Sequence, residues 1–291
     1  MTDIAQHYQE SPAQDCLDHA LWQKITNSLT DASIDLSKLT ADLLAPIDQL
    51  HIGGRKATQN LLQRAELPSQ SHVLEIGAGL GGTARLIADQ LKKQSNCHIT
   101  AVDITSSFTF ACQQINNLMN YQNIHSICGD ACLPHVAAAS QDVIISQHTL
   151  MNIPDKVSLL NTLFNSLKPN GKLLLHEVIA GDNLEALALP VPWASQPEHS
   201  DLPQQQALIA LLEQAGFTLA SIHNVSEDAL AWRNKHTQRE AGQSDQGKTQ
   251  QKSPLNPKLI FGERFIQMGK NVMANLATDK VRVVEAIFIK K

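Results

Sequence analysis

The sequence predicts an α/β fold with a largely parallel sheet, and three observations predict it. Short apolar runs alternate with segments of helical spacing from about residue 73 onward. A glycine-rich turn closes the first run. Acidic residues stand at or just beyond the ends of the first three runs, the edge at which ligands of open α/β sheets bind.

The elements follow in order. Leu17, Leu21, Ile25 and Leu29 recur at helical spacing, and residues 31–45 (DASIDLSKLTADLLA) read as a second short helix with Ser37 and Thr40 as candidate caps. The connecting piece carries His51, Gly53 and Gly54 and leads into a helix over 56–65. Val73, Leu74 and Ile76 form the first strand, with Glu75 near its carboxyl end. Gly77, Gly79, Gly81 and Gly82 follow where the chain must turn sharply and let a ligand approach backbone, before a helix over 83–90. Residues 98–104 (HITAVDI) are the second strand, ending at Asp103, and 124–128 the third, followed by Gly129, Asp130 and Ala131. Residues 142–147 are the fourth. A turn at 168–171 opens the fifth (LKPNGKLLLHEVI), and 217–223 after an amphipathic helix over 204–215 are the sixth.

Three accessory segments complete the chain. Residues 182–200 hold Pro190, Pro192, Trp193 and Pro197, a composition that favours irregular backbone. Residues 234–252 have almost no apolar side chain, which predicts a mobile loop. Residues 256–277 carry Leu259, Phe261, Phe265, Met268, Val272 and Leu276 near helical spacing. That stripe predicts a helix packed on the core, closing a pocket or meeting a second copy of the chain. Residues 281–289 (VRVVEAIFI) supply the last strand. The expected organisation is an N-terminal helical lid over 1–60 and a core domain over 61–291. The core would carry a pocket segment at 176–200 and a loop-plus-helix insertion at 229–280.

Composition narrows the function. The 291 residues are 43% hydrophobic, enough for one large core, and the net charge is −5 with scattered Lys and Arg, so the footprint of a nucleic-acid binder is absent. No apolar stretch approaches the ~20 residues of a membrane span, and the N-terminus lacks a basic start and apolar run, which predicts a cytosolic protein. The five cysteines contain no CxxC pair. Cys128 and Cys132 bracket the Asp130 turn, but a free cysteine is usually a small core residue, and no metal site is assigned.

Gly77, Gly79 and Gly82 satisfy GxGxxG, a weak signal alone, and Asp103 at the strand end suits any ribose-bearing ligand. Glu75 discriminates. A carboxylate two residues before the first glycine would face an ammonium and repel a pyrophosphate. The run VLEIGAGLGGTA, the strand HITAVDI, the GDA turn and the later strand order together resemble the class I S-adenosylmethionine-dependent methyltransferases over about residues 67–225. The resemblance implies a Rossmann-like seven-stranded sheet with an antiparallel last strand lying between the fifth and sixth. It also implies S-adenosylmethionine as cofactor, touched by Glu75, Gly77, Gly79, Gly81, Asp103, Ile104, Asp130, Ala131 and Gln147.

Within that family, the HIGG turn and the run Ser146, Gln147, His148 are most similar to small-molecule enzymes that methylate sarcosine and dimethylglycine. Quinone-ring C-methyltransferases are more distant. The resemblance implies a small-molecule acceptor, N-methylation of a polar metabolite first, with C- or O-methylation of a quinone or phenolic ring as the alternative. His148 stands where the sarcosine and dimethylglycine enzymes carry aspartate in "SQD", and a histidine can act as a base near neutral pH. Tyr8 is the second catalytic candidate, since N-terminal tyrosines of related enzymes point at the donor methyl. His51, His176, Glu177, Trp193 and His199 are candidates for the acceptor pocket. The departure at His148 also suits a different class, a protein that binds the cofactor without catalysis, and a nicotinamide-dependent oxidoreductase is disfavoured by Glu75 and the GDA turn.

Overall fold

The computed structural model describes residues 17–68, 70–91, 97–240 and 253–291. Seven strands form one sheet: β1 His72–Ile76, β2 His98–Asp103, β3 Ile124–Cys128, β4 Gln141–Gln147, β5 Leu167–Ala180, β6 Phe217–Asn224 and β7 Val281–Lys290. Their order is β3-β2-β1-β4-β5-β7-β6, with β7 antiparallel to both neighbours and the pairings from β3 to β5 parallel. The chain runs outward from β1 through β2 to β3, then returns to the other side of β1 as β4. The switch point therefore lies at β1 and β4, where an open sheet parts its loops and leaves a crevice.

Ten helices are described: α1 Leu17–Asp31, α2 Ala41–Asp48, α3 Gly54–Ala65, α4 Gly82–Leu91, α5 Ser106–Leu118, α6 Lys156–Ser166, α7 Gln205–Gln214, α8 Ser226–Glu240, α9 Lys258–Phe261 and α10 Phe265–Ala277. Leu61 and Leu62 of α3 and Ile87 of α4 pack with Val73, Val143 and Leu174 on one face of the sheet. Leu159 and Leu163 of α6 and Leu208 and Leu212 of α7 pack with Ile144, Leu175 and Phe288 on the other. Strands buried on both faces read as continuous apolar runs, which is why their sequence signal is clear.

A third cluster joins the N-terminal helices to the late insertion: Leu21, Ile25 and Leu29 of α1 and Ile47 of α2 share a core with Phe108 and Ile115 of α5 and with Ile260, Phe265 and Met268. Residues more than 200 apart thus roof the same end of the sheet.

Three sequence expectations change. Residues 31–45 are not one helix: Asp35, not Ser37, caps a 3-10 turn at Leu36–Lys38, while Thr40 accepts from Leu43 N–H and starts α2. The helix expected over 256–277 is broken at Gly262, whose φ of +63° belongs to the left-handed region, so α9 and α10 are separate and joined by a 3-10 turn. Residues 234–240 are helical, because α8 is anchored by buried Ala229 and Arg233 and propagates past them; residues 241–252 lie outside the described set. Tyr8 lies outside it too. Among the described residues, no helix is long and apolar enough to cross a membrane.

Candidate functional site

A cavity of about 190 Å³ opens at the switch point. It is walled by the glycine turn after β1, the ends of β2 and β3, the loop after β4, the α2–α3 connection, Pro192 and Trp193, and Phe261 at the end of α9. Of the residues singled out in the sequence, Glu75, Gly77, Gly79, Asp103, Ile104, Asp130, Ala131, Gln147, His148, His51 and Trp193 line it.

Three do not. Gly81 is off the lining: a Cβ there would lie 2.4 Å from Cys112 Sγ, so the position is glycine for packing between α4 and α5. His176 is buried behind the wall, where its Nε2 bonds the Ile52 carbonyl at 2.8 Å. His199 sits in the short 3-10 turn Pro197–His199, behind Asn152 and Trp193, because its carbonyl is turned toward the Asn152 amide.

The glycine turn is held by a group the sequence reading missed. Arg85, fully buried on α4, donates to Asp48 Oδ2 at 2.8 Å, to Asn116 Oδ1 at 2.8 Å and to the Leu80 carbonyl at 2.7 Å. It thereby ties α2, α5 and the turn together. Only pairing makes a buried guanidinium tolerable, and nothing local in the sequence marks Asp48 as its partner.

Glu75 is buried, and its Oε2 has no hydrogen-bond partner. Burial pushes its carboxyl up to about 8, with the Arg85 guanidinium opposing. A shielded, unpaired carboxylate oxygen in a cavity wall fits an ammonium ligand, which would restore its charge. Gly79 adds a second sign of fit. Its φ is +53° and a Cβ there would meet nothing within 4 Å, so the turn presents bare backbone to open space. Gly77 differs: its Cβ would lie 2.0 Å from Thr149 Oγ1.

Asp103 accepts from Gly79 N–H and Thr105 N–H, both at 2.8 Å. Burial raises its pKa above the ordinary carboxylate value, against those two bonds. Each oxygen keeps a lone pair for a hydroxyl donor. Asp130 is exposed at the lip, with Oδ1 accepting from Cys132 N–H.

The loop after β4 is shaped from behind. Glu177 on β5 is fully buried and accepts from Ser146 Oγ, from Thr149 N–H at 3.0 Å and from Leu150 N–H at 3.2 Å. Burial pushes its carboxyl up to about 7 despite these donors. It does not line the cavity. Its grip accompanies the positive φ of 52° at His148, a conformation costly for a non-glycine residue.

Three histidines then meet. The His148 ring stacks on His176 with centroids 5.2 Å apart, and His51 stands edge-on to both at 6.0 and 5.4 Å. His51 Nε2 donates to the Gly54 carbonyl at 3.0 Å, and Thr58 and Gln147 crowd the same nitrogen. His148 Nε2 has no partner. Burial takes His51 down to about 3 and His176 to about 4, and holds His148 well below 6.5, so all three are neutral at pH 7. The imidazole expected to be a base near neutrality is thus a weak one. Gln147 accepts from Thr83 Oγ1 at 2.8 Å and bonds Thr58, so its amide braces α3 and α4 while facing the cavity. Among the described residues, no group of three or more His, Cys, Asp or Glu is arranged to hold a metal ion.

Residues 50–222, more than half of the chain, match the family model described as a methyltransferase domain. The chain belongs to this family. It is 28% identical over 167 residues to a phosphoethanolamine N-methyltransferase of Arabidopsis thaliana, covering 57% of this chain and 32% of that protein. The methyltransferase domain therefore spans about a third of that longer relative. The fold is shared with a sarcosine dimethylglycine methyltransferase candidate from Galdieria sulphuraria (TM-score 0.67, 17% identity, 81% of this chain and 86% of that one). It is shared too with a Haemonchus contortus phosphoethanolamine N-methyltransferase 2 in complex with phosphomonomethylethanolamine and S-adenosylhomocysteine (TM-score 0.66, 17% identity, 91% and 60%).

Proposed function

We propose that this methyltransferase domain transfers the methyl group of S-adenosylmethionine to a nitrogen of a small polar acceptor. The observation that carries the reading is the buried, unpaired Glu75 Oε2 in the same cavity wall as the bare turn at Gly79 and the carboxylate of Asp103. Glu75 would hold the ammonium and Asp103 the ribose hydroxyls. Gly77 and Gly79 would let backbone approach the ligand, Ile104 and Ala131 would flank the base, and Asp130 would accept from its exocyclic amine. The nitrogen acceptor is supported by the relatives, named for N-methylation of phosphoethanolamine.

The bound cofactor supplies a methyl group already activated on a sulfonium. What the chain must add is alignment and exclusion of water. His148, His51 and Trp193 would orient the acceptor, Phe261 and Ile47 would close the roof over it, and Glu177 would keep the His148 loop in place. Tyr8 is retained as a candidate to approach the donor methyl. A cytosolic setting belongs to this reading and is supported by the free thiols of Cys97, Cys112 and Cys132.

The test is transfer of isotopically labelled methyl from S-adenosylmethionine into a metabolite extract, with the label partitioned between aqueous and organic phases. Aqueous label is expected. Organic label would move the acceptor to a quinone or phenolic ring. No label, with S-adenosylhomocysteine still bound, would leave a non-catalytic binder.

A further inference from the structure

The β4 side of the cavity, beyond the residues assigned to the cofactor, has a distinct chemistry. Its wall is His51, His148, Asn152, Ile153 and Trp193, whereas Phe261 lines the cavity from the cluster it shares with Leu80 and Phe108. None of these side chains carries a charge at pH 7, since burial keeps both histidines neutral. Among the described residues, the ionisable groups other than histidine that line the cavity are acidic: Asp48, Glu75, Asp103 and Asp130. The nearby guanidinium of Arg85 is spent on Asp48, Asn116 and the Leu80 carbonyl.

Polar contacts on this side are few and fixed. Trp193 is buried and donates its indole N–H to Ser200 Oγ at 3.0 Å, so its ring offers the cavity an apolar surface. Asn152 spends its amide N–H on the Trp193 carbonyl at 2.8 Å. His51 spends Nε2 on Gly54. His148 Nε2 is left, shielded and without a partner, and a buried polar atom in that state calls for a donor or acceptor from a ligand.

We propose that the acceptor is an uncharged heteroaromatic or aryl amine, its ring set against Trp193 and Ile153 and its N–H turned to His148 Nε2. This rests on the reading of the cavity as a methyl-transfer site. A phosphate or carboxylate on the acceptor would be moved from water to a wall of neutral and acidic groups, at a desolvation cost that none of the described lining residues repays. An aliphatic ammonium is disfavoured for a second reason. Like a lysine side chain it would hold its proton up to about pH 10, and an imidazole kept neutral by burial is too weak a base to remove it.

An aryl or heteroaromatic nitrogen needs no such removal, because its lone pair is free at neutral pH. That lone pair forms the N–C bond as the C–S bond breaks, and the C–S pair passes to sulfur, giving the neutral thioether. The product is now cationic, and its acidic N–H, on the attacked nitrogen of an aryl amine or on the other ring nitrogen of an azole such as benzimidazole, gives its proton to His148 Nε2 and thence to solvent. A weak base is matched to that step. Relatives such as those of Arabidopsis thaliana and Triticum aestivum are named for phosphoethanolamine, and the proposal separates this chain from them in substrate class.

The test incubates the full chain with labelled S-adenosylmethionine and, separately, 3-aminopyridine, benzimidazole, ethanolamine and phosphoethanolamine, and measures S-adenosylhomocysteine binding by calorimetry in parallel. The expected result is kcat/KM at least tenfold higher for one of the two heteroaromatic probes than for either aliphatic one. His148→Gln should lower kcat for that probe about a hundredfold, the low end of general-base effects, and leave the S-adenosylhomocysteine Kd within twofold. Equal or faster methylation of phosphoethanolamine or ethanolamine overturns the proposal, as does cofactor binding with no transfer to either heteroaromatic. Wild-type turnover by His148→Gln overturns the role given to that nitrogen. Failure to bind S-adenosylhomocysteine would instead sink the methyl-transfer reading.

Discussion

Glu75 is a carboxyl group whose folded environment disfavours its charge until a cation arrives. Burial places it near 8, and an ammonium ligand would draw it back to the ionised form and expel its proton. S-adenosylhomocysteine affinity should therefore rise as pH is raised from 6 to 8. Calorimetry at pH 7 should show proton release, seen as a dependence of the observed heat on the buffer's ionisation enthalpy. Binding that is flat over this range would place the ammonium elsewhere. Asp103→Ala should weaken the same ligand by at least about tenfold, since a lost charged hydrogen bond costs ~1.5 kcal/mol or more; unchanged affinity would remove the ribose contact. The two positive-φ glycines separate binding from folding. Gly79→Ala points its methyl into open space, so it should cost about 1 kcal/mol of backbone strain and most of the ligand affinity. Gly77→Ala meets Thr149 instead and should lose stability first. Thermal melts with and without ligand distinguish the two.

At the scale of elements, the site depends on how α4 is fastened. Arg85 joins it to Asp48 of α2, to Asn116 of α5 and to the turn at Leu80. Arg85→Met removes the cation and leaves the buried Asp48 carboxylate alone, which should cost about 3–5 kcal/mol in urea denaturation. A loss below about 1 kcal/mol would mean that Asp48 finds water or protonates easily. The loop after β4 is fastened in a different way, by backbone N–H groups of Thr149 and Leu150 aimed at one oxygen of Glu177. The insertion shows why a helix-period pattern does not fix a helix. Leu259 through Leu276 keep the spacing, but Gly262 takes a left-handed conformation, and the break turns Phe261 into the cavity while α10 packs along Met268 and Val272.

For the whole molecule, the buried ionisable groups set a pH profile of stability. Glu75 and Glu177 have folded pKa values of about 8 and 7, above their ordinary 4.5. Between 4.5 and those values the folded state binds more protons than the unfolded one, so their contribution falls as pH rises. His51, His148 and His176 lie below 6.5 when folded, so below that pH the unfolded chain binds more protons and stability rises with pH. The two trends oppose between about 4.5 and 6.5, and only the carboxyl trend remains above. The melting temperature should pass a maximum near pH 6 and decline toward pH 8. Saturating S-adenosylhomocysteine should flatten the decline by pairing Glu75; a melting temperature that climbs steadily from 6 to 8 without ligand would contradict this assignment.

The sequence by itself determined the alternating strands and helices and the edge carrying the glycine turn, because those features are local: apolar runs long enough to be buried on both faces, a glycine turn, and acidic residues at strand ends; the strand order came only with the family resemblance. Glu75, Gly79, Asp103 and Asp130 were legible for that reason, and all four meet at one cavity. The GDA turn and the HIGG turn were legible as well. What only the tertiary structure decided is the acceptor side. Phe261, Trp193 and His51 come from segments more than 50 residues apart and line one cavity through packing alone. The pairing of Arg85 with Asp48, the grip of Glu177 on the His148 loop and the neutral state of the three histidines have no local sequence signal. Each depends on burial and on which side chains face one another across elements, and those quantities exist only once the chain has folded.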